Sequence, residues 1–454
     1  MSAARLAMTL RARALRAGAW SFAGYGVSQA IRLGSNLLMA RLLAPETFGV
    51  MTIAVTTATV LSLLSDLGIQ QNIVQSRRGE DPRFLDSAWS MQILRGMALW
   101  LAALALSGLL WLAGRAGVFP PHSVYAAPEL VPVIAVCSFS TVIQGFQSTR
   151  LALAQRSLDQ KTLIRIELAG QILGIAAMVP IALATRSVWA LVAGLLVAAT
   201  AQTLLGHLWA GTSRLRWDRE SVRELLRFGR WVFVSSAVYV LAVNGDRLLL
   251  GALVGADVLG VYAIALLIVS AIEGILFRLF QTVSLPAFSE VARTDPARLR
   301  EIYYRMRLPM DVALLGAAGA LAAAGPLVIK LLYDSRYAAA GEVVQVLALS
   351  LLFGRYGAAQ QVYLALGRPR YLAAINAARL AALIALVPLA FRLGGFSVAL
   401  WAIALHPVVT LPLIFHFNAK TGLNDVRREL KLFLAFPAGY GAGAVAVLLS
   451  RGGT

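Results

Sequence analysis

Apolar stretches of about twenty residues recur along nearly the whole chain, separated by short runs carrying arginine, glycine and proline. They lie near 17–43, 48–69, 91–113, 130–147, 166–184, 188–210 and 231–254, then 259–285, 308–332, 343–366, 372–391, 396–417 and 432–450. A helix rises about 1.5 Å per residue, so each is long enough to cross the roughly 30 Å hydrocarbon layer. The pattern predicts an all-α polytopic membrane protein with twelve to fourteen transmembrane helices, thirteen by this division. Prolines fall inside the stretches at Pro180, Pro326, Pro388, Pro407 and Pro412. Neighbouring helices can re-satisfy the backbone groups that such prolines free. No connection exceeds about twenty residues, so no soluble domain is expected on either face.

Shifting the sequence by 211 residues lays 15–55 on 226–266 without a gap. Arg16, Gly18, Trp20 and Phe22 fall on Arg227, Gly229, Trp231 and Phe233, and Gly49, Val50, Ile53 and Ala54 on Gly260, Val261, Ile264 and Ala265. Glu46 meets Asp257 in the turn between the paired helices. Leucine and alanine coincidences arise between any two apolar helices. A shared Gly-x-Trp-x-Phe and an acidic turn followed by glycine point to duplication. Six stretches then make one unit. An even number returns the chain to the same side, so the halves are parallel repeats about an axis along the membrane normal, as in transporters that bind substrate where the repeats meet. The expected organisation is a basic cytoplasmic N-terminus (1–16), an N-lobe (17–210), a basic cytoplasmic linker (211–230), a C-lobe (231–417) and a basic loop with one extra span (418–454).

Composition agrees. Hydrophobic residues are 59% of the chain and charged residues 14%, against roughly 25% charged in soluble proteins, and mean hydropathy is +0.73. The net charge of +19 would suit nucleic acid, but its placement excludes that partner. With the N-terminus inside, 29 of the 41 lysines and arginines fall on cytoplasmic segments, which is the positive-inside pattern. The first apolar segment is too long for a cleaved signal and contains Arg32. The single cysteine, Cys137, allows no intramolecular disulfide, and the four histidines form no metal-ligand cluster. There is no phosphate-loop motif and no hydrolase signature. The best enzymatic alternative, a membrane glycan polymerase or ligase, would need catalytic groups outside the membrane, where the longest loop offers His122 and Glu129. His207, His406 and His416, near stretch ends, are expected to pack at the interface.

Leu42-Leu43-Ala44-Pro45-Glu46-Thr47-Phe48-Gly49, Asp66-Leu67-Gly68 and Asn244-Gly245-Asp246-Arg247 carry a resemblance, continued by Leu259-Gly260-Val261-Tyr262 and Leu285-Pro286-Ala287-Phe288. The chain resembles the polysaccharide transport family of the MOP flippase superfamily, the Wzx-type lipid-linked oligosaccharide flippases. The likeness covers about the first 310 residues, and its motifs are mostly turn and packing residues. It implies two six-helix lobes around a central cavity, whereas relatives commonly show twelve or fourteen spans. The implied function is translocation of a polyprenyl-diphosphate-linked oligosaccharide across the cytoplasmic (inner) membrane for lipopolysaccharide or exopolysaccharide synthesis. The alternative is an ion-coupled multidrug exporter of the same superfamily. No enzyme activity or bound cofactor is expected, with proton, sodium or membrane potential open as the driving force. Expected partners are the lipid-linked oligosaccharide, membrane lipid, and a polymerase or glycosyltransferases.

A charge inside a span costs about 2.5–3.5 kcal/mol on insertion scales and is a functional candidate by default. Arg32 and Arg355 lie mid-span and are expected to line the cavity. Asp246 with Arg247, Glu273 with Arg278, Arg379 and Asp66 complete the set, with mutual pairing, snorkelling or anchoring as the competing roles. Arginine forks in a wet cavity can hold a diphosphate bidentately. Trp20 and Trp231 are expected at the cytoplasmic interface.

Overall fold

The computed structural model of the protein describes residues 3–157 and 159–452, with side chains at all of these except 3–17, 19, 228–235, 282–283 and 452. Among the described residues it is helical, with no strand. Ten helices there are long and apolar enough to cross a membrane. The chain divides into two compact units, Met1–Val240 and Leu241–Thr454.

The first unit contains α1 (Ala3–Leu42), α2 (Pro45–Leu64), α3 (Ile69–Gln75), α4 (Pro82–Arg115), α5 (Leu130–Cys137), α6 (Phe139–Gly145), α7 (Leu151–Arg156), α8 (Gln160–Thr185) and α9 (Trp189–Ala210). It also holds the beginning of α10 (Arg219–Leu253). Local chemistry sets these boundaries. Pro45 and Pro82 occupy first-turn positions, where a missing N–H costs no hydrogen bond. Asp81 and Asp159 cap α4 and α8 by accepting from the backbone N–H of Arg83 and Thr162. The expected stretch 48–69 is interrupted after Leu64, because Gly68 takes a left-handed conformation (φ 58°) and its N–H donates to Asp66 Oδ1 at 2.9 Å. The stretch 130–147 divides at Ser138 into α5 and α6.

The linker also differs from the expected loop. Residues 211–218 run as an extended strap over the start of α4, and 219–230 are already helix. Alternate backbone N–H groups of the strap, at Arg214, Arg216 and Asp218, donate to Asp86 Oδ1, Ser90 Oγ and Ser87 Oγ at 3.0, 2.9 and 3.0 Å. An extended segment presents every second N–H to one side, and three polar side chains on one helix receive them. Below the strap, Val222 and Leu225 of α10 pack with Ile69, Ile73, Phe84, Leu85 and Met91 in a buried core, which holds the start of α10 in this unit.

The second unit contains the rest of α10, then α11 (Ala256–Thr294), α12 (Leu299–Leu332), α13 (Ala340–Leu347), α14 (Leu351–Gly354), α15 (Gly357–Ala365), α16 (Pro369–Leu405), α17 (Leu411–Lys420), α18 (Val426–Phe433) and α19 (Ala435–Gly452). α16 is two helices end to end: Gly394 and Gly395 break it, and the positive φ of Gly395 (68°) suits glycine alone. The stretches 372–391 and 396–417 meet at that break. The last helix, α19, packs on α12. There Gly439 lies so close to Gly316 that a Cβ would strike its carbonyl, and Gly319 lies equally close to the backbone of Phe436. Small residues allow such backbone approach.

The helix ends reproduce the sequence repeat. α1 ends and α2 begins at Leu42 and Pro45, α10 and α11 at Leu253 and Ala256, each displaced by the same 211 residues. Ile53 and Ala54 are fully buried, as are Ile264 and Ala265.

Candidate functional site

Arg32 is an exposed side chain on α1. Its Nη1 donates to Gln29 Oε1 at 3.2 Å, and among the described residues no carboxylate lies within ion-pair distance of it. One turn earlier, Ser28 Oγ donates to Glu167 Oε1 of α8 at 2.8 Å, and Gln171 Nε2 donates to Ser28 Oγ at 2.6 Å. Ser28 and Gln29 are buried. The first unit therefore holds a polar group built from α1 and α8 beside an uncompensated arginine. Glu167 escaped the sequence analysis because it stands at the edge of the stretch 166–184.

Asp66 has a local role in closing the turn into α3. Its charge acts on Arg95. Arg95, near the start of the stretch 91–113, lies well inside α4, where it donates to the Ser62 carbonyl at 2.5 Å and to Ser65 Oγ at 3.1 Å. These bonds satisfy the last turn of α2, where a cation also suits the helix dipole.

In the second unit, Asp246 and Arg247 take separate partners. Tyr262 donates its hydroxyl to Asp246 Oδ2, and Arg247 donates to Asn244 Oδ1. Asp246 is buried and its Oδ1 has no hydrogen-bond partner. Arg379 Nε donates to His406 Nε2 at 3.3 Å. That nitrogen must then carry the lone pair, so the ring is neutral with its proton on Nδ1, donated to the Ile403 carbonyl at 2.7 Å. His406 is buried beside these charges, a partnership its position near a stretch end concealed. The charge of Arg379 also acts on Glu273, and that of Asp246 on His406. Arg278 is exposed on α11 and engaged within the protein.

Arg355 belongs to a second group. It stands at the turn between α14 and α15, 4% exposed. Its Nη2 lies 2.9 Å from Glu429 Oε2 of α18 and 2.9 Å from the Tyr356 hydroxyl. Glu429 also receives the fork of Arg307, Nη1 at 2.7 Å and Nη2 at 3.0 Å. Arg307 Nε lies 2.7 Å from Asp311 Oδ2, and the rings of Tyr303, Tyr304 and Tyr356 surround its guanidinium. Arg307 and Asp311 are fully buried. Two arginines and two carboxylates balance, so the group is formally neutral as a whole, yet among the described residues Arg355 Nε and Nη1 have no hydrogen-bond partner. In sequence both Arg307 and Glu429 fall outside the apolar stretches. The spacing of Arg307 and Asp311, one helical turn apart, is a signal that could have found this pair; no spacing links either to Glu429.

Among the described residues no three His, Cys, Asp or Glu side chains are grouped to hold a metal ion. Trp20 is 43% exposed with Lys161 Nζ over its ring at 5.8 Å; the side chain of Trp231 lies outside the described residues.

Residues 38–342 match a family model described as polysaccharide biosynthesis protein. The chain is 25% identical over 316 residues to the lipopolysaccharide biosynthesis protein WzxC of Escherichia coli (strain K12), covering 68% of this chain and 62% of that protein. It is 26% identical over 255 residues to the amylovoran biosynthesis protein AmsL of Erwinia amylovora, covering 55% of this chain and 63% of that one. The matches thus span under two thirds of these relatives' length. Two solved structures share the fold. An inward-facing multidrug resistance MATE family transporter of the MOP superfamily aligns with TM-score 0.67 at 13% identity, over 87% of this chain and 94% of the other. The lipid II flippase MurJ, in an inward closed conformation, aligns with TM-score 0.65 at 13% identity, over 91% and 90%.

Proposed function

Because the chain belongs to the polysaccharide biosynthesis protein family, we propose that this multi-pass membrane protein translocates a polyprenyl-diphosphate-linked oligosaccharide across the cytoplasmic membrane by alternating access. Its N-terminus lies in the cytoplasm in this reading. The observation that carries the reading is Arg32, an exposed guanidinium on an apolar helix with no carboxylate in ion-pair range among the described residues. An unpaired charge is expensive in a bilayer, and a diphosphate arriving with the substrate compensates it. The desolvation of phosphates and sugar hydroxyls in lipid is prohibitive, so a polar route through protein is what such a substrate needs. In the second unit Arg355 adds two donors without partners among the described residues, and Arg247, Arg278 and Arg379 add further cationic character, with Asp246 and Glu273 tuning it; Asp66 is the candidate carboxylate of the first unit. Relatives named for lipopolysaccharide and amylovoran biosynthesis, and a fold neighbour named as a lipid II flippase, support the same substrate class. Translocation breaks no covalent bond. A glycan polymerase or glycosyltransferases acting on the same lipid are the partners the reading implies.

The test is translocation of a fluorescent polyprenyl-diphosphate sugar by protein reconstituted in vesicles. An Arg32→Ala variant, present at wild-type abundance, should lose transport about ten- to a hundredfold, the worth of one charge-assisted hydrogen bond to a buried anion. Arg32→Lys should recover part of it, keeping the charge without the planar fork. Normal transport by Arg32→Ala would remove Arg32 from the site. Efflux of cationic drugs with no lipid translocation would select the exporter instead.

A further inference from the structure

The first unit contains a second polar feature, away from Arg32 in sequence and sharing only Asp66 with the candidates above. A recess of about 250 Å³ opens where α2, α3, α4 and α6 converge. Its lining includes five glutamines, Gln70, Gln71, Gln92, Gln144 and Gln147, with Asp66 and Arg95. We propose that this recess binds one uncharged sugar ring of the transported glycan, so that the chain reads the sugar as well as the diphosphate. The identity of the ligand's carrier rests on the flippase reading; the chemistry of the recess does not.

Three observations select that ligand class. The first is charge. Arg95, the one cation of the lining, commits Nη2 to the Ser62 carbonyl and Nε to the Ser65 hydroxyl, and the charge of Asp66 in the same lining acts on it. The lining is formally neutral, with one arginine and one aspartate, and its single cation already spends two of its three nitrogens on the end of α2. The second is hydrogen bonding. Gln92 Nε2 donates to the carbonyls of Gln144, Gly145 and Gln147 at 3.1, 3.2 and 3.0 Å. Three carbonyl acceptors fix which end of that amide is nitrogen, leaving Oε1 as an oriented acceptor. The side-chain amides of Gln70, Gln71, Gln144 and Gln147 have no partner among the described residues. Each such amide offers a donor and an acceptor side by side, the complement of vicinal hydroxyls, whereas an apolar ligand would strip them of water without replacement. The third is size and rigidity. The volume falls below the roughly 300–1,000 Å³ of drug-sized sites, which suits a single ring. The wall formed by α4 and α6 cannot yield, because Gly96 and Gly145 bring the two backbones into contact.

The experiment compares the full-length wild type with a Gln70→Leu, Gln144→Leu double variant in lipid nanodiscs. Both side chains are exposed, so the substitutions leave the packed interior alone. Three probes are titrated: polyprenyl diphosphate carrying an N-acetylhexosamine or hexose, bare polyprenyl diphosphate, and the free methyl glycosides. The variant should bind the best sugar-bearing lipid about tenfold more weakly, as the loss of two neutral hydrogen bonds predicts, with bare-lipid affinity unchanged. Equal affinity of variant and wild type for every sugar-bearing lipid, or an equal loss for sugar-bearing and bare lipid, overturns the proposal. If the wild type binds neither lipid, the flippase reading fails. The recess then stands or falls on whether methyl glycoside binding drops in the variant.

Discussion

Glu429 accepts from two arginines and two tyrosines, and the arginines are not equivalent. Arg307 is fully buried and serves both Glu429 and Asp311. Removing it leaves two carboxylates short of compensation in a dry site, which costs about 3–5 kcal/mol when a buried pair is broken. Arg307→Ala should therefore lower the melting temperature in detergent and the amount of inserted protein. Arg355→Ala leaves the Arg307 fork on Glu429 in place. Its abundance should stay near wild type while translocation falls, because the unpartnered donors are lost with it. Equal loss of protein in both variants would assign Arg355 to structure alone. The comparison uses thermal unfolding and quantitative blotting beside the transport assay.

At the scale of elements, the strap 211–218 behaves as part of the first unit. Its last residue, Asp218, receives the hydroxyl and backbone N–H of Ser221, with Arg78 nearby. The Ser221 hydroxyl first, then its N–H and the Arg78 charge, hold the carboxyl below the usual range. A lowered carboxylate stabilises the folded form fully above its unfolded value, about 3.9, and loses that contribution as pH falls through the lower folded value. The strap should thus stay closed from neutral pH down to about pH 4 and loosen below it. Asp218→Asn should loosen it at neutral pH. Hydrogen exchange at the amides of Arg214, Arg216 and Asp218, corrected for intrinsic rates, reads this directly. Unchanged protection in the variant would assign the strap's order to Asp86, Ser87 and Ser90 alone.

For the whole molecule, the proposed orientation rests on where the arginines accumulate. A reporter fused at Arg219 should read cytoplasmic and one at Pro121 extracytoplasmic, with alkaline phosphatase and fluorescent-protein fusions giving opposite signals. The reverse pattern would invert the topology, and with it the face at which substrate is loaded. Arg219 starts α10 beside the strap, and Pro121 lies between α4 and α5.

Helix content, the rhythm of apolar stretches and the duplication could be read from sequence, because each depends on residues near one another along the chain. Burial from water and the length of a membrane-crossing helix are written in windows of about twenty residues. The displacement of helix ends by 211 residues shows how closely sequence repeat and structure agree. The in-span charges were equally visible as charges. Their roles were not, because a role depends on partners the sequence does not place side by side. Arg307 and Glu429 are 122 residues apart and Ser28 and Glu167 are 139 apart. Four glutamines of the recess come from three helices and the fifth, Gln147, from the connection after α6, and none is unusual in its own segment. Tertiary packing alone decided that Arg355 is paired, that Arg32 keeps its charge uncompensated by any described carboxylate, and that uncommitted amides converge on one recess. Electrostatic and hydrogen-bond energies depend on separation in space, and only the fold sets that separation.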